Sequence, residues 1–468
     1  MKRAIHWFRN DLRLHDNEAL SEAIKNNDEV IPIYILDPRI FSGKTSYGFH
    51  KTGPYRLKFI LESLSDLRKQ LKEHQTTLYI REGLPEVIIP QITRQFNVQN
   101  IYCNRERTKE EVEVQDALEK KLWSIGREVR YYRGKMLYHT ADLPFPVTHC
   151  PDSFSVFKKE VERIVNIREP LNFPAKRMRE CSIEMKEGHI PDISYFGFSD
   201  QKTEKGLSFT GGETEGLIRL EYYIWKSKSI QSYNQNKFRM LDMDYSSKLS
   251  PYLSQGCISP KLIYHEILRF EKEYGKNDST ASLKLELLWR DFFRLMGKKH
   301  GSRIFRIKGT GERNPPSTKY DHSFFLKWKE GKTGVPFIDA NMKEMNQTGY
   351  MSNRGRQIVS CFLVNDMEMN WIAGAEYFES MLIDYDPCSN YGNWNYIAGV
   401  SATSKDNPNY YVPSQARKYD PQADYIKYWL PDLKPIDPRL LFNPFENRSS
   451  VALSKARYTQ PCDLIRNW

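Results

Sequence analysis

The feature that most limits how this chain can fold is a change of period along it. Over the first 130 residues, short β-branched or aromatic runs alternate with amphipathic stretches, whereas after Gly211 the period is helical almost throughout. Runs at 4–8, 30–36, 77–80, 99–103 and 127–132 read as strands. Helices lie between them, the clearest after Thr52, where Leu57, Ile60, Leu61, Leu64, Leu67 and Leu71 recur at helical spacing with charge on the other face. Five strands separated by helices predict a parallel, doubly wound α/β sheet domain over 1–132. The later period, as at 283–296 and 324–345, predicts an all-α domain over 208–468. Residues 133–207 are rich in Pro, Lys, Ser and isolated aromatics and read as an interdomain connector with some helix, too long for a simple loop.

With 468 residues, 40% hydrophobic and 28% charged, the chain is long enough for several domains and has no apolar run of bilayer length. The basic start MKRAIHWFRNDLRL lacks the apolar segment of a signal peptide, so a cytoplasmic protein is expected, with no membrane partner and as a monomer. Seven cysteines without CxxC spacing point to reduced thiols. No HExxH or clustered ligand set occurs, so no metal is expected, and none of the ten histidines sits in a nucleophile pattern. Neither GxGxxG nor GxxxxGK[ST] follows any strand, which disfavours dinucleotide-fingerprint and P-loop chemistry. The net charge of +11 favours polyanions. The 13% aromatic content fits either a planar cofactor and stacked bases or an aromatic core.

Four constellations carry chemistry. Ser246, Ser247 and Ser250 cluster with Lys248 ahead of Pro251, and a helix starting there would offer amides and hydroxyls to a pyrophosphate or simply be capped by serine. Glu286, Trp289 and Arg290 share one helical face that can stack on a base and bond its edge, or can be an ordinary amphipathic helix. In MSNRGRQ, Asn353, Arg356 and Gln357 share a face, while Arg354 points elsewhere, toward phosphate. In LIDYDPCSNYGNWNY, Asp386 caps a helix with Pro387 at its first position, which aligns Asp386, Asn390 and Trp394 along one stripe. A carboxylate, an amide and an indole on one buried face need polar partners such as a ring system.

These motifs, with the opening HWFRNDLRLHDN and the stretch KTGPYRLKFILESLSDLRKQL, resemble the photolyase/cryptochrome family, and within it the DASH-type cryptochromes, over nearly the whole chain. The resemblance implies an α/β antenna domain followed by a helical domain holding a U-shaped FAD. Residue by residue it implies that Tyr233, Ser246, Ser247, Leu249 and Ser250, with Lys248 beside them, contact the flavin phosphates and ribityl chain. Asn353, Arg356, Asp384, Asp386 and Asn390 would surround the ribityl and isoalloxazine. Asn390 would lie near flavin N5, where plant cryptochromes carry an acid. Trp394 and Trp371 match the first two members of an electron relay, while the third position holds Thr318, with Tyr320 nearby.

For the substrate side, the resemblance implies a pocket of Glu286, Trp289, Asn353 and Tyr396, a phosphate contact at Arg354, and Gln357 where duplex-repair enzymes usually carry Met. Arg290 is taken with them as DNA-binding. No histidine stands near Asn353 and Gln357, which disfavours repair of 6-4 photoproducts. Glu106, in NRERT where the DASH segment usually reads HxETC, matches the carboxylate that holds a 5,10-methenyltetrahydrofolate antenna. The expected activity is that of a deoxyribodipyrimidine photolyase, a blue-light-driven lyase acting on cyclobutane pyrimidine dimers in single-stranded DNA. The rival is a photoreceptor cryptochrome, against which stands the lack of a long tail after YIKYWLPDL.

Overall fold

In the computed structural model, residues 1–174, 178, 182–199, 205–404, 408–443 and 458 are described. Five strands, β1 (Arg3–Phe8), β2 (Glu29–Leu36), β3 (Tyr79–Glu82), β4 (Asn100–Asn104) and β5 (Glu128–Tyr132), form one parallel sheet in the order β3-β2-β1-β4-β5. All eight residues of β2 are buried, as a strand covered on both faces requires. The run read at 77–80 forms its strand two residues later. Its ladder with β2 begins at the pair Ile33 and Tyr79, after the chain has turned from the preceding helix.

Four helices cover the sheet: α1 (Glu18–Asn26), α2 (Pro54–Glu73), α3 (Pro85–Gln95) and α4 (Lys109–Trp123). The leucine stripe after Thr52 is the buried face of α2, which starts with Pro54 at its first position. The segment read as a connector includes α5 (Phe154–Ile164) and runs along the sheet edge, where Ile80 N of β3 donates to Glu187 O at 2.8 Å. That bond blunts an otherwise open strand edge.

After residue 208 the described elements are helical. Those that build the site are α6 (Asp278–His300), α7 (Pro336–Thr348), α8 (Asn353–Cys361), α9 (Trp371–Met381), α10 (Pro387–Ile397) and α11 (Val412–Tyr419). Two glycines allow close packing here. A Cβ on Gly392 would stand 2.3 Å from Phe293 of α6, and one on Gly374 would stand 2.3 Å from Trp394. Side chains at either position would push α10 away from its neighbours.

The loops at the C-terminal ends of β1 and β4 are where open α/β sheets usually take ligands. Here they hold the helical half instead. Arg13 donates to Gly256 O (2.9 Å) and Gly134 O (2.8 Å), Glu213 accepts from Leu14 N (2.6 Å) and His15 N (3.1 Å), and Lys261 pairs with Asp16 (2.7 Å). One apolar core passes from Phe8 and Leu64 through Ile263 to Leu287. Five described cysteines are free and buried, while Cys181 and Cys462 lie outside the described residues, as do residues 200–204 of the segment between the domains and most of the chain after Asn443. No described helix is long and apolar enough to cross a membrane.

Candidate functional site

A cavity of about 760 Å³ opens in the helical half, within the size range of cofactor sites. One wall is a face of α6: Glu286, Trp289, Arg290, Phe293 and Gly297 recur at helical spacing and all line it. Trp289 is clamped between Phe154 of α5, stacked at 3.5 Å and 8°, and Phe293 at 5.7 Å and 29°. The indole is therefore a fixed apolar surface. Desolvation among the cavity walls pushes the Glu286 carboxyl above its ordinary range, although the side chain stands open to the cavity, against the opposing pull of Lys237 and a hydrogen bond from Tyr233.

The second wall is the segment Tyr245–Ser250 with Arg356 and Asp384. Arg356 Nη2 donates to both Asp384 oxygens at 2.9 Å, and Ser250 Oγ donates to Asp384 Oδ2 at 2.7 Å. The helix expected after Ser250 exists but spans only Ser250–Ser254, and Leu249 occupies its cap position. Lys248 has a φ of +58°, in the left-handed region, and is only 2% exposed. Its Nζ lies 3.1 Å from the centre of the Tyr245 ring and 4.7 Å from that of Tyr350, without a hydrogen-bond partner. Burial drives the pKa of this ammonium far down, with Glu344 pulling the other way.

At the mouth, Asn353, Arg354, Arg356 and Gln357 all line the cavity. The expectation that Arg354 would point elsewhere fails, because all four residues line the cavity together from the start of α8. Its first turn, capped by Ser352 Oγ accepting from Gly355 N at 3.0 Å, spreads side chains over a wide arc. Tyr396 stands 48% exposed at the rim.

The α10 stripe finds protein partners. Asp386 caps the helix by accepting from Ser389 N (2.8 Å) and accepts from Arg294 Nη1 (2.9 Å), Asn390 Nδ2 donates to Ala375 O (3.0 Å), and Trp394 packs edge-on to Phe378 at 5.2 Å. Asn390 lies outside the cavity lining, and Trp394 is buried behind it. Trp371, also buried, donates from Nε1 to Ile307 O at 3.1 Å. Asn370, just before it, donates to Lys319 O (2.7 Å) and to Tyr47 Oη (3.0 Å). The ring of Tyr47 lies 4.7 Å from that of Tyr320, which is 37% exposed.

A cavity with hydroxyls and an orphaned ammonium along one side and an aromatic wall on the other suits a dinucleotide with a charged middle and a planar ring. The comparisons with known proteins agree. Residues 283–463 match the FAD binding domain of DNA photolyase, and residues 4–176 match DNA photolyase. A Cryptochrome DASH of Synechocystis is 42% identical over 97% of this chain and 94% of its own length, and one of Xenopus laevis is 43% identical over 98% and 90%. The chain belongs to the photolyase/cryptochrome family. The crystal structure of the Synechocystis cryptochrome superposes with a TM-score of 0.94 at 41% identity, covering 99% of this chain and 96% of that one. A class III photolyase of Agrobacterium tumefaciens gives 0.85 at 25% identity, covering 100% and 95%.

Within this photolyase/cryptochrome frame, two sequence expectations change meaning. Arg290 donates to Lys135 O (2.8 Å) and Leu253 O (3.2 Å), so much of its guanidinium holds the seam between the halves. Glu106 is buried and engaged at both oxygens, by Lys135 Nζ at one and Arg294 Nη2 at the other (3.3 Å). Burial alone would raise its pKa, but Lys135, Arg9 and Arg294 outweigh that and hold it at about 2. A carboxylate so occupied does not fit the role of a folate-holding group, and no antenna contact is assigned to it. Sequence reading missed Phe154, Phe293, Lys135 and Arg294. Phe293 and Arg294 continue the spacing of Glu286 and Arg290, which was the available signal.

Proposed function

We infer that this photolyase/cryptochrome family member repairs cyclobutane pyrimidine dimers in DNA under blue light, with preference for single strands. The observation that carries the reading is the juxtaposition, in one cavity, of a cofactor wall (Tyr245–Ser250, Arg356, Asp384) and an opposing carboxyl–indole pair, Glu286 and Trp289. FAD bound against the first wall supplies light absorption and the transferable electron. Trp289, immobilised by Phe154 and Phe293, lines the cavity as a fixed apolar group against which a flipped lesion can pack. Glu286 keeps its proton to higher pH than a free carboxyl and can donate it to a pyrimidine carbonyl. Trp394 and Trp371 serve as relays toward the surface, where Tyr320 stands in the open.

Single-strand preference is supported by Tyr396 and Gln357 at the rim, which give a flipped base a more polar reception than an apolar wall. The cost of unpairing is least when the strand is already single.

The test is blue-light repair of a thymine-dimer oligonucleotide by the chemically reduced protein, single-stranded and duplex, with dark controls. Repair confined to the single strand is expected. Glu286→Ala should lose repair with flavin retained, and Glu286→Gln should remove the fall in repair that sets in as pH rises through the raised Glu286 pKa. No repair in either arm, with reduced flavin verified by absorbance, would overturn the reading in favour of a photoreceptor.

A further inference from the structure

Beside the cavity mouth, cations and rings are interleaved on three separate segments. The guanidinium carbon of Arg354, on α8, lies 5.3 Å from the ring centre of Phe238 and 5.1 Å from that of Tyr419, at the end of α11. The two rings are 5.5 Å apart at 37°. Lys237 Nζ lies 5.4 Å from the Phe238 ring and Lys418 Nζ 5.3 Å from the Tyr419 ring. Tyr410 closes the group, its ring centre 5.8 Å from Arg354.

Two observations separate this ledge from ordinary surface. Phe238 is an apolar ring held 36% exposed, and Arg354 Nε is buried with no hydrogen-bond partner. Among the described residues, none of Lys237, Arg354 and Lys418 is in an ion pair; Glu286 acts on Lys237 from inside the cavity. Cations without an ion pair beside partly exposed rings complement a strand whose phosphates are anionic and whose bases are free to stack. A duplex offers the charge without the ring faces, because its bases are stacked on one another.

We propose that the ledge of Phe238, Arg354 and Tyr419, flanked by Lys237 and Lys418, binds the unpaired nucleotides next to the one that enters the cavity, by stacking and phosphate contact. It thereby selects single-stranded DNA at the mouth of the pocket, where Lys237, Phe238, Arg354 and Tyr410 belong to the lining and Tyr419 and Lys418 extend beyond it. The assignment rests on the cavity being the lesion pocket, since that is what makes its mouth the place where a strand must pass.

The probe is undamaged oligothymidylate, followed by fluorescence anisotropy against the flavin-loaded protein, with a duplex of the same length as the second arm. Tyr419→Leu, outside the cavity lining, should weaken single-strand binding about tenfold, in line with stacking worth about one decade per ring. Tyr419→Phe should keep it, and duplex binding should change little in either variant. Phe238→Leu should act as Tyr419→Leu does, and Phe238→Trp should restore binding. Lys418→Ala should lower the slope of log affinity against log salt by about 0.7 for the single strand.

Wild-type affinity in both leucine variants would overturn the proposal, and so would equal losses for single strand and duplex. The phenylalanine and tryptophan variants guard against a folding defect, because a ledge that acts only as packing would not distinguish them by strand type. If the wild type repairs no dimer yet binds oligothymidylate through these rings, the ledge stands and the repair reading fails. If repair occurs and the rings prove silent, the reverse holds.

Discussion

At the ends of β1 and β4, Glu106 meets Lys135 and Arg294, and Arg294 continues to Asp386, so that two acids and two bases close on one another. Across the helical cavity, Lys248 is equally buried, yet its ammonium faces two rings and no acceptor, and Arg354 Nε is likewise orphaned. Buried ionisable groups stand in both places under different conditions. In the first region each of these charges has an oppositely charged partner within the protein, although Arg294 Nε makes no hydrogen bond, and the crevice where a doubly wound sheet would take a ligand has become a joint. In the second the partner is missing from the protein, which is the expected condition of a site shaped for something else.

Removing the shared member of the joint should have the largest effect. Arg294→Met leaves Asp386 without its ion pair and Glu106 with one base, and breaking a buried network in this way costs about 3–5 kcal/mol. The midpoint of urea unfolding should fall accordingly, and a loss below about 1 kcal/mol would mean that apolar contacts alone hold the halves.

Acid should act next. A carboxyl depressed on folding contributes in full above its ordinary value and loses that contribution as pH falls through its folded value. With Glu106 held at about 2, about 3 kcal/mol should disappear between about pH 5 and pH 2. Glu106→Gln should unfold with a shallower acid limb, and identical limbs would remove Glu106 from the acid response.

The cavity should respond in the opposite sense and more modestly. Lys248→Met relieves an uncompensated burial, so the flavin-free protein should gain about 1–3 kcal/mol of stability while holding FAD less tightly. Thermal melts with and without flavin read both effects, and a destabilised flavin-free variant would show that the ring cage already satisfies the ammonium.

The same contrast explains what could be read from the chain. Strands and α2 follow from local periodicity, and the Asp386 cap follows from an acid placed before Pro387, so these emerged where expected. The joint depends on Arg294 reaching Glu106, 188 positions away, and no periodicity reports which acid a base will meet. Ser246, Ser247 and Lys248 were visible as chemistry but not as geometry, because the helix after them is a single short turn and the left-handed φ of Lys248 turns its side chain inward. Trp289 could be placed on its face of α6, whereas its clamp from Phe154 comes from a segment that read as connector.

The joint also sets an order of assembly. When the sheet leaves the ribosome, Glu106 has Arg9 and Lys135 within reach along the chain. Arg294 arrives 188 residues after Glu106, and Asp386 a further 92 after that. The members of the clamp therefore appear in the direction of synthesis, and α10, which carries Trp394 and adds Gly392 and Tyr396 to the cavity lining, is the last of them to be made. Completion of the pocket thus waits on the synthesis of α10, which emerges after both of the elements that the clamp joins.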